Sequence, residues 1–192
     1  MQELAELLRS NDYYMEPVLK TLFKSSCFMD DTIIGADIKS PMDFVFGMLR
    51  QLKAKKINWQ RIARLLALLG QLPFNPPNVA GWEEHRTWLN ASSFAQRQGL
   101  VSKILEMEHP SGLDLSGFLA DYPRVEDPKR LVSDIVDDLL PVSVSHEVGD
   151  ALLKILLDGR DLEAWDANKP WATYGLKNVL KAIMQTAEYQ LN

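Results

Sequence analysis

Apolar residues recur every three or four positions along most of this chain, with polar residues on the complementary faces, which is the period of amphipathic helices. The pattern runs from Gln2 to Arg9 and again from Glu16 to Ser25, where Val18, Leu19, Leu22 and Phe23 share one face. Asp30-Asp31 and Gly35 interrupt it. Ser40-Pro41-Met42-Asp43 then supplies a helix start. Ser40 caps, Pro41 takes the first position, where no backbone donor is needed, and Asp43 completes a capping box. That helix extends to about Lys53 with Met42, Val45, Phe46, Leu49 and Leu52 inward. Asn58 caps the next one, which is apolar nearly all round from Ile62 to Leu69 apart from Arg64. This predicts a centrally buried helix, with Gly70 placed to end it in the left-handed conformation.

Helical spacing resumes at about Asn90, with Phe94, Val101, Ile104 and Leu105 inward, and a short amphipathic segment follows from Asp114 to Tyr122. Asp127-Pro128 opens a helix with Leu131, Val132, Ile135, Val136, Leu139 and Leu140 on one side and Asp134, Asp137 and Asp138 on the other, stopped by Pro141. Ser145 caps a helix from Glu147 to Leu157, ended by Gly159. After an aromatic loop containing Trp165, Pro170 and Trp171, Thr173 is read as the cap of a last helix carrying Leu176, Val179, Leu180, Ile183, Met184, Ala187 and Leu191. No strand period and no internal repeat emerges. The pattern predicts a single all-α domain over residues 1–192, with about eight or nine helices.

One stretch breaks the period. Between Leu69 and Arg97 lie Pro73, Pro76, Pro77, Gly70, Gly81, Trp82 and Trp88. The prolines forbid a helix, and their fixed φ angles lower the entropy cost of holding an extended loop. The candidate ligand-loop residues are therefore Pro76, Pro77, Gly81, Trp82, Glu83, Glu84, His85, Trp88, Asn90 and Arg97. Two readings stand. The tryptophans pin the loop onto the core, each burying some 150–250 Å², or they form a platform for a sugar ring with Glu83, Glu84 and Asn90 as hydrogen-bonding neighbours. Packing is the favoured reading. Arg97, with five donors in a plane, suits tying the loop down through its carbonyls. Asn90-Ala91-Ser92 fits a glycosylation acceptor in form, and its simpler reading is the helix cap.

Composition narrows the chemistry. A net charge of −5 argues against a nucleic-acid partner, because phosphate binding needs a basic face. The charge is uneven. Lys39 to Arg64 holds seven bases against Asp43 alone, and Glu106 to Asp166 holds fifteen acids against five bases. The two stretches are solvated or mutually adjacent faces, or the basic one is a docking surface for another domain or an acidic ligand. The single Cys27 is expected to be a buried small thiol. No apolar run approaches the ~20 residues that span a bilayer, and Met-Gln-Glu-Leu-Ala-Glu-Leu-Leu lacks the basic start and apolar core of a signal peptide.

No catalytic set is legible. Glu83 and Glu84 are adjacent and so are unlike a glycosidase pair, which must flank one bond. His85, His109 and His146 are isolated in sequence and fall in no compact ligand spacing, so no metal or cofactor is expected, although tertiary contacts would be needed to join Glu83, Glu84 and His85 in a metal site. No Gly-x-Ser-x-Gly elbow and no phosphate-cradling glycine loop occurs. The acidic helix lacks the alternating oxygen ligands of an EF-hand.

Several stretches taken together resemble a known family. They are Lys39-Ser40-Pro41-Met42-Asp43-Phe44-Val45 with Leu49-Arg50, Leu69-Gly70-Gln71-Leu72-Pro73-Phe74, Pro76-Pro77-Asn78-Val79-Ala80-Gly81-Trp82, Trp88-Leu89-Asn90, Arg97, and the closing Glu188-Tyr189-Gln190-Leu191. Their order and spacing resemble the carboxy-terminal half of a bacterial family catalogued as domain of unknown function 1800. The resemblance covers nearly all of this chain and the latter part of a usual member. It implies an exported or periplasmic parent protein working at the cell envelope, often encoded beside a sulfatase-like family. The family has no established catalytic residues to carry over. One departure stands out: after Gly81-Trp82, members often continue with proline and glycines, where this chain has Glu83-Glu84-His85-Arg86.

The resulting expectation is a non-catalytic interaction or scaffold domain of an envelope-associated protein. Its expected partner is another protein domain, of which the missing amino-terminal half is one, with a glycan as a further candidate and no direct membrane insertion. The alternative is a hydrolase or glycan-binding domain whose site that missing half completes.

Overall fold

The computed structural model describes residues 2–83, 85–107 and 114–192, so that Glu84, His109 and Pro110 lie outside the described residues. Those residues form nine α-helices joined by short 3-10 turns, with two isolated β-bridges and no strand among them. They divide into two compact units, one ending at Ile34 and one beginning at Gly35.

The first unit pairs α1 (Gln2–Ser10) with α2 (Met15–Phe23). The turn between them runs through Asp12 and Tyr13 at positive φ, closed by the Asn11 side chain donating to the Leu7 carbonyl at 2.8 Å. Two nine-residue helices share one narrow seam, and Val18 is the buried residue of α2. Leu19 and Phe23, expected on the same inward face, are exposed, as are Phe28, Met29, Ile33 and Ile34. Cys27 is exposed as well, which corrects the expectation of a buried thiol.

The second unit opens with α3 (Pro41–Gln51), and its start is the full capping box of Ser40 and Asp43. The buried stripe of α3 is Phe44, Val45, Met48 and Leu49, continued by Leu52. Phe46 falls off that stripe and is exposed, tilted against Trp59 with ring centroids 6.5 Å apart. Gly47 lies in the helix interior, and a Cβ there would meet nothing within 4 Å. Packing therefore does not require a glycine that costs a helix about 1 kcal/mol relative to alanine.

Asn58 caps α4 (Trp59–Leu68) by accepting from Arg61 N–H at 3.0 Å. Ile62, Leu66 and Leu69 are buried, whereas Leu68 is exposed, so the apolar run is amphipathic rather than centrally buried. Its main helix neighbour is α3, and the Leu68 side of α4 faces away from the core. Gly70 follows at φ +88°, and the Gln71 amide returns to the Leu66 carbonyl at 2.9 Å.

Asn90 and Ser93 form a capping box for α5 (Ala91–Leu105). Buried Asp114 starts α6 (Leu115–Leu119) by accepting from Gly117 N–H, and it also pairs with Lys55. Lys53 meets Asp121 at 2.5 Å, so two bases of the basic stretch are balanced by acids of the acidic one. Asp127 caps α7 (Pro128–Leu139), on whose polar face Asp134 pairs with Arg124 and Asp138 accepts the Tyr122 hydroxyl proton at 2.9 Å. Ser145 precedes α8 (His146–Leu157) without a side-chain cap bond, and Asp158, at φ 49°, ends the helix in the left-handed conformation.

The last helix, α9 (Pro170–Met184), begins three residues before the expected cap. Pro170 with its preset φ fixes the first turn after Lys169, so Thr173 lies inside the helix. This helix is the hub of the unit: it packs against α8, α5 and α7, and Val179, Leu180 and Met184 are wholly buried. It approaches α8 most closely at Gly175, which faces the Leu156 backbone.

Candidate functional site

The proline- and tryptophan-rich loop is tied to one short segment, residues 37–42, which leads into α3. The segment is itself held by the end of the chain in an antiparallel exchange. Gly35 N–H donates to Asn192 O at 2.7 Å, Asn192 N–H to Asp37 O at 2.8 Å, and Lys39 N–H to Gln190 O at 2.8 Å. The loop then attaches at its start and twice near its end. At the start, buried Gln71 accepts from the Met42 amide at 2.8 Å, satisfying a donor that the first turn of α3 leaves unpaired. Near the end, His85 Nδ1 sits 2.9 Å from Asp37 Oδ1. At the end, Arg97 reaches the Trp88 carbonyl at 3.4 Å.

Arg97 is the centre of this knot. It projects from α5, is wholly buried, and donates to Lys39 O at 2.8 Å and to Gln190 Oε1 at 3.2 Å. Its guanidinium lies 5.0 Å from the centroid of the Phe44 ring. No carboxylate pairs with it among the described residues, and its Nε has no hydrogen-bond partner. Burial pulls its pKa down to about 10, partly offset by the field of Asp43. Arg97 therefore stays charged at neutral pH.

A second cation lies beside it. Lys39 Nζ donates to Tyr189 O at 2.8 Å and sits 4.1 Å from the centroid of that tyrosine's ring. Burial first, then repulsion from Arg97, lowers its pKa to about 8, with Asp43 opposing. The folded lysine thus gives up its proton well before an unfolded one at 10.5. Between those two values the unfolded chain binds more protons, so stability is expected to rise with pH from about 8 to about 10.5. Urea unfolding at steps across that window should show the rise in the wild type, and the contribution should be missing from Lys39→Met.

The loop itself turns twice. Asn75 N–H donates to Leu72 O at 3.2 Å with Phe74 at φ 62°, and Asn78 bridges Gly81, whose φ of 95° suits a glycine. Left-handed backbone at a bulky Phe74 costs of order 1 kcal/mol or more. Pro76 and Pro77 are exposed, and Phe74 and Val79 are fully so at 100% and 109% of their reference surfaces. Trp82 and Trp88 are both half-buried. The 3-10 turn His85–Trp88 joins the loop to the Asn90 cap, whose Oδ1 accepts from the Ser92 and Ser93 amides.

Between this loop and the adjoining ends of α4 and α5 lies an open groove of about 380 Å³, lined by residues including Pro77, Glu83, Thr87, Trp88, Asn90 and Gln96. Among the described residues Glu83 is the one carboxylate lining it. Asp37 is held below the usual carboxylate range chiefly by its hydrogen bond with His85. No group of three or more His, Cys, Asp and Glu side chains placed to hold a metal occurs among the described residues.

The structure thus brings His85, Trp88, Asn90 and Arg97 into one bonded assembly with the loop, and leaves Pro76, Pro77 and Glu83 on its exposed side. Asp37, Lys39, Gln71 and Gln190 belong to the assembly and are missed by sequence reasoning. Two signals are available: Lys39, Gln71 and Gln190 all lie in the stretches that resemble the family, and Lys39 stands just before a cap and Gln71 just after a helix-ending glycine.

A family model described as protein of unknown function (DUF1800) matches residues 1–191, so the chain belongs to that family. No curated protein and no solved structure matches it significantly.

Proposed function

We propose that this family member is a non-catalytic interaction domain, the carboxy-terminal part of a longer envelope-associated protein, and that residues 72–83 are its contact element. The family match spans both compact units, which supports treating residues 1–192 as one domain. The observation that carries the reading is Phe74 and Val79, two apolar side chains with no cover, on a loop whose ends are bonded to a fixed base. An isolated exposed apolar residue is ordinary. Two at the tip of a proline-stiffened loop, one of them with a strained backbone, are not explained by packing. The exposed apolar side chains of the first unit add a second surface of the same character. Apolar tips favour a protein partner over a glycan, and the amino-terminal half of a full-length family member is the partner proposed.

The test is a titration of that half, supplied as a separate polypeptide, into this chain. Saturable binding that weakens at least about tenfold in Phe74→Asp/Val79→Asp, a loss of about 1.4 kcal/mol, is expected. Equal affinity of the double variant would reject the loop as the contact element.

A further inference from the structure

The groove beside the loop, of about 380 Å³, is separate from the loop tip: Pro77 and Glu83 line it, and neither Phe74 nor Val79 does. Its volume falls in the range of about 300–1,000 Å³ found for small-molecule clefts. Lysine, arginine and histidine are absent from its described lining, and Glu83 is its one carboxylate there. An anionic ligand would meet that carboxylate with no cation beside it. The remaining polar walls are amides and hydroxyls, and the apolar part is the half-buried Trp88 with Pro77 and the exposed Leu68.

Several of these groups are fixed before any ligand arrives. Asn90 Oδ1 accepts from the Ser92 amide at 3.0 Å and the Ser93 amide at 2.9 Å, which locks the planar side chain. Its Nδ2, with no partner among the described residues, is the end left to a ligand, and it can only donate. Gln96 Nε2 donates to Ser92 Oγ at 3.4 Å, which leaves Gln96 Oε1 as an acceptor. Glu83 adds two acceptor oxygens, also without a partner among the described residues. Donors and acceptors thus alternate around one groove. A hydroxyl donates and accepts at once, so neighbouring hydroxyls on one ligand can satisfy both kinds. Trp88 is held through its carbonyl, which accepts from Ser93 Oγ at 3.0 Å and from Arg97 at 3.4 Å. An aromatic ring beside amides and a carboxylate matches a sugar ring, whose faces are apolar and whose rim carries hydroxyls.

We infer that this groove binds a neutral carbohydrate, with one sugar ring against Trp88 and its hydroxyls accepting from Asn90 Nδ2 and donating to Glu83 and Gln96 Oε1. Of the two tryptophans of the loop, Trp88 is the one among the described lining residues.

The experiment uses the full chain, isotope-labelled, titrated separately with cellohexaose, N-acetylchitohexaose, maltohexaose and xylohexaose while the Trp88 indole and Asn90 side-chain amide resonances are followed. A saturable shift of both is expected with at least one of the four, and none with tetragalacturonate at matched ionic strength, because its carboxylates would face Glu83. Asn90→Asp keeps the helix cap, since aspartate caps as well as asparagine, and exchanges the amide donor for a carboxylate. It should melt like the wild type and bind at least about tenfold more weakly, read from the Trp88 indole. Glu83→Ala, at an exposed position, should weaken binding about tenfold through the loss of a charge-assisted hydrogen bond. Phe74→Asp/Val79→Asp should leave it unchanged, so the groove and the loop contact fail separately. No saturable shift with any of the four neutral sugars, equal binding of tetragalacturonate, or undiminished binding by Asn90→Asp would overturn the assignment.

Discussion

Gly175→Ala is expected to destabilise the second unit by about 3 kcal/mol or more, the largest effect of any single methyl group in this chain. The added Cβ would fall well inside contact distance of the Leu156 carbonyl oxygen, with the carbonyl carbon also too close. Backbone atoms cannot rotate away as a side chain would, so α8 and α9 would have to separate. That pair anchors the core, with Leu156, Leu176, Val179 and Leu180 buried between the surrounding helices. Gly149→Ala in α8 is the control, because a Cβ there meets nothing within 4 Å. It should stabilise by about 0.4–1 kcal/mol through the unfolded chain. Urea unfolding midpoints of the two variants moving in opposite directions would establish that the close approach, rather than glycine content, is what matters. Two equally mild effects would contradict the packing described.

The second large effect concerns Arg97. Arg97→Ala should cost about 3–5 kcal/mol, combining a cavity in the core with three acceptors that lose their donor, Lys39 O, Trp88 O and Gln190 Oε1. Arg97→Met separates those terms. It refills most of the volume and removes the unpaired charge and the orphaned Nε, while still leaving the acceptors unmet. A loss of about 1–3 kcal/mol is expected for Met, accompanied by faster amide exchange at Gly81 in the loop. If Arg97→Met proves as stable as the wild type, the desolvation of the guanidinium outweighs its hydrogen bonds. The loop would then be held by Gln71 and His85 rather than by Arg97.

Helix positions were legible because short-range chemistry fixes them. The Ser40-Asp43 capping box, the Asn58 and Asn90 caps and the Asp127-Pro128 start all act within one turn, and the structure has each of them. The misreadings share the opposite character. Phe46 and Leu68 are apolar residues on helices that keep an exposed side, and periodicity alone does not say how wide the covered side is. Leu19, Phe23 and Cys27 sit in a unit too small to bury them. Thr173 lost the cap to Pro170, a stronger local signal three residues earlier.

The candidate site was visible only in part, for the same reason. Its prolines, tryptophans and Arg97 mark an ordered loop within a helical sequence, and their spacing is local. What anchors the loop is not. Lys39 meets Gln190 and Asp37 meets Asn192 through backbone groups from opposite ends of the sequence, while Gln71 and His85 reach the same segment with their side chains, and no local spacing records these pairings. Gln190 in particular is a wholly buried amide whose role depends on Arg97, 93 positions away.

Whether the loop tip serves contact rather than folding is tested by site-specific photocrosslinking in native cells with benzoylphenylalanine at position 79. Position 174, an exposed tyrosine on α9, serves as the comparison. A contact loop gives a discrete adduct containing family amino-terminal sequence from position 79 and none from position 174, with both proteins melting like the wild type. Adducts of equal yield from both positions, or none from position 79, would contradict it.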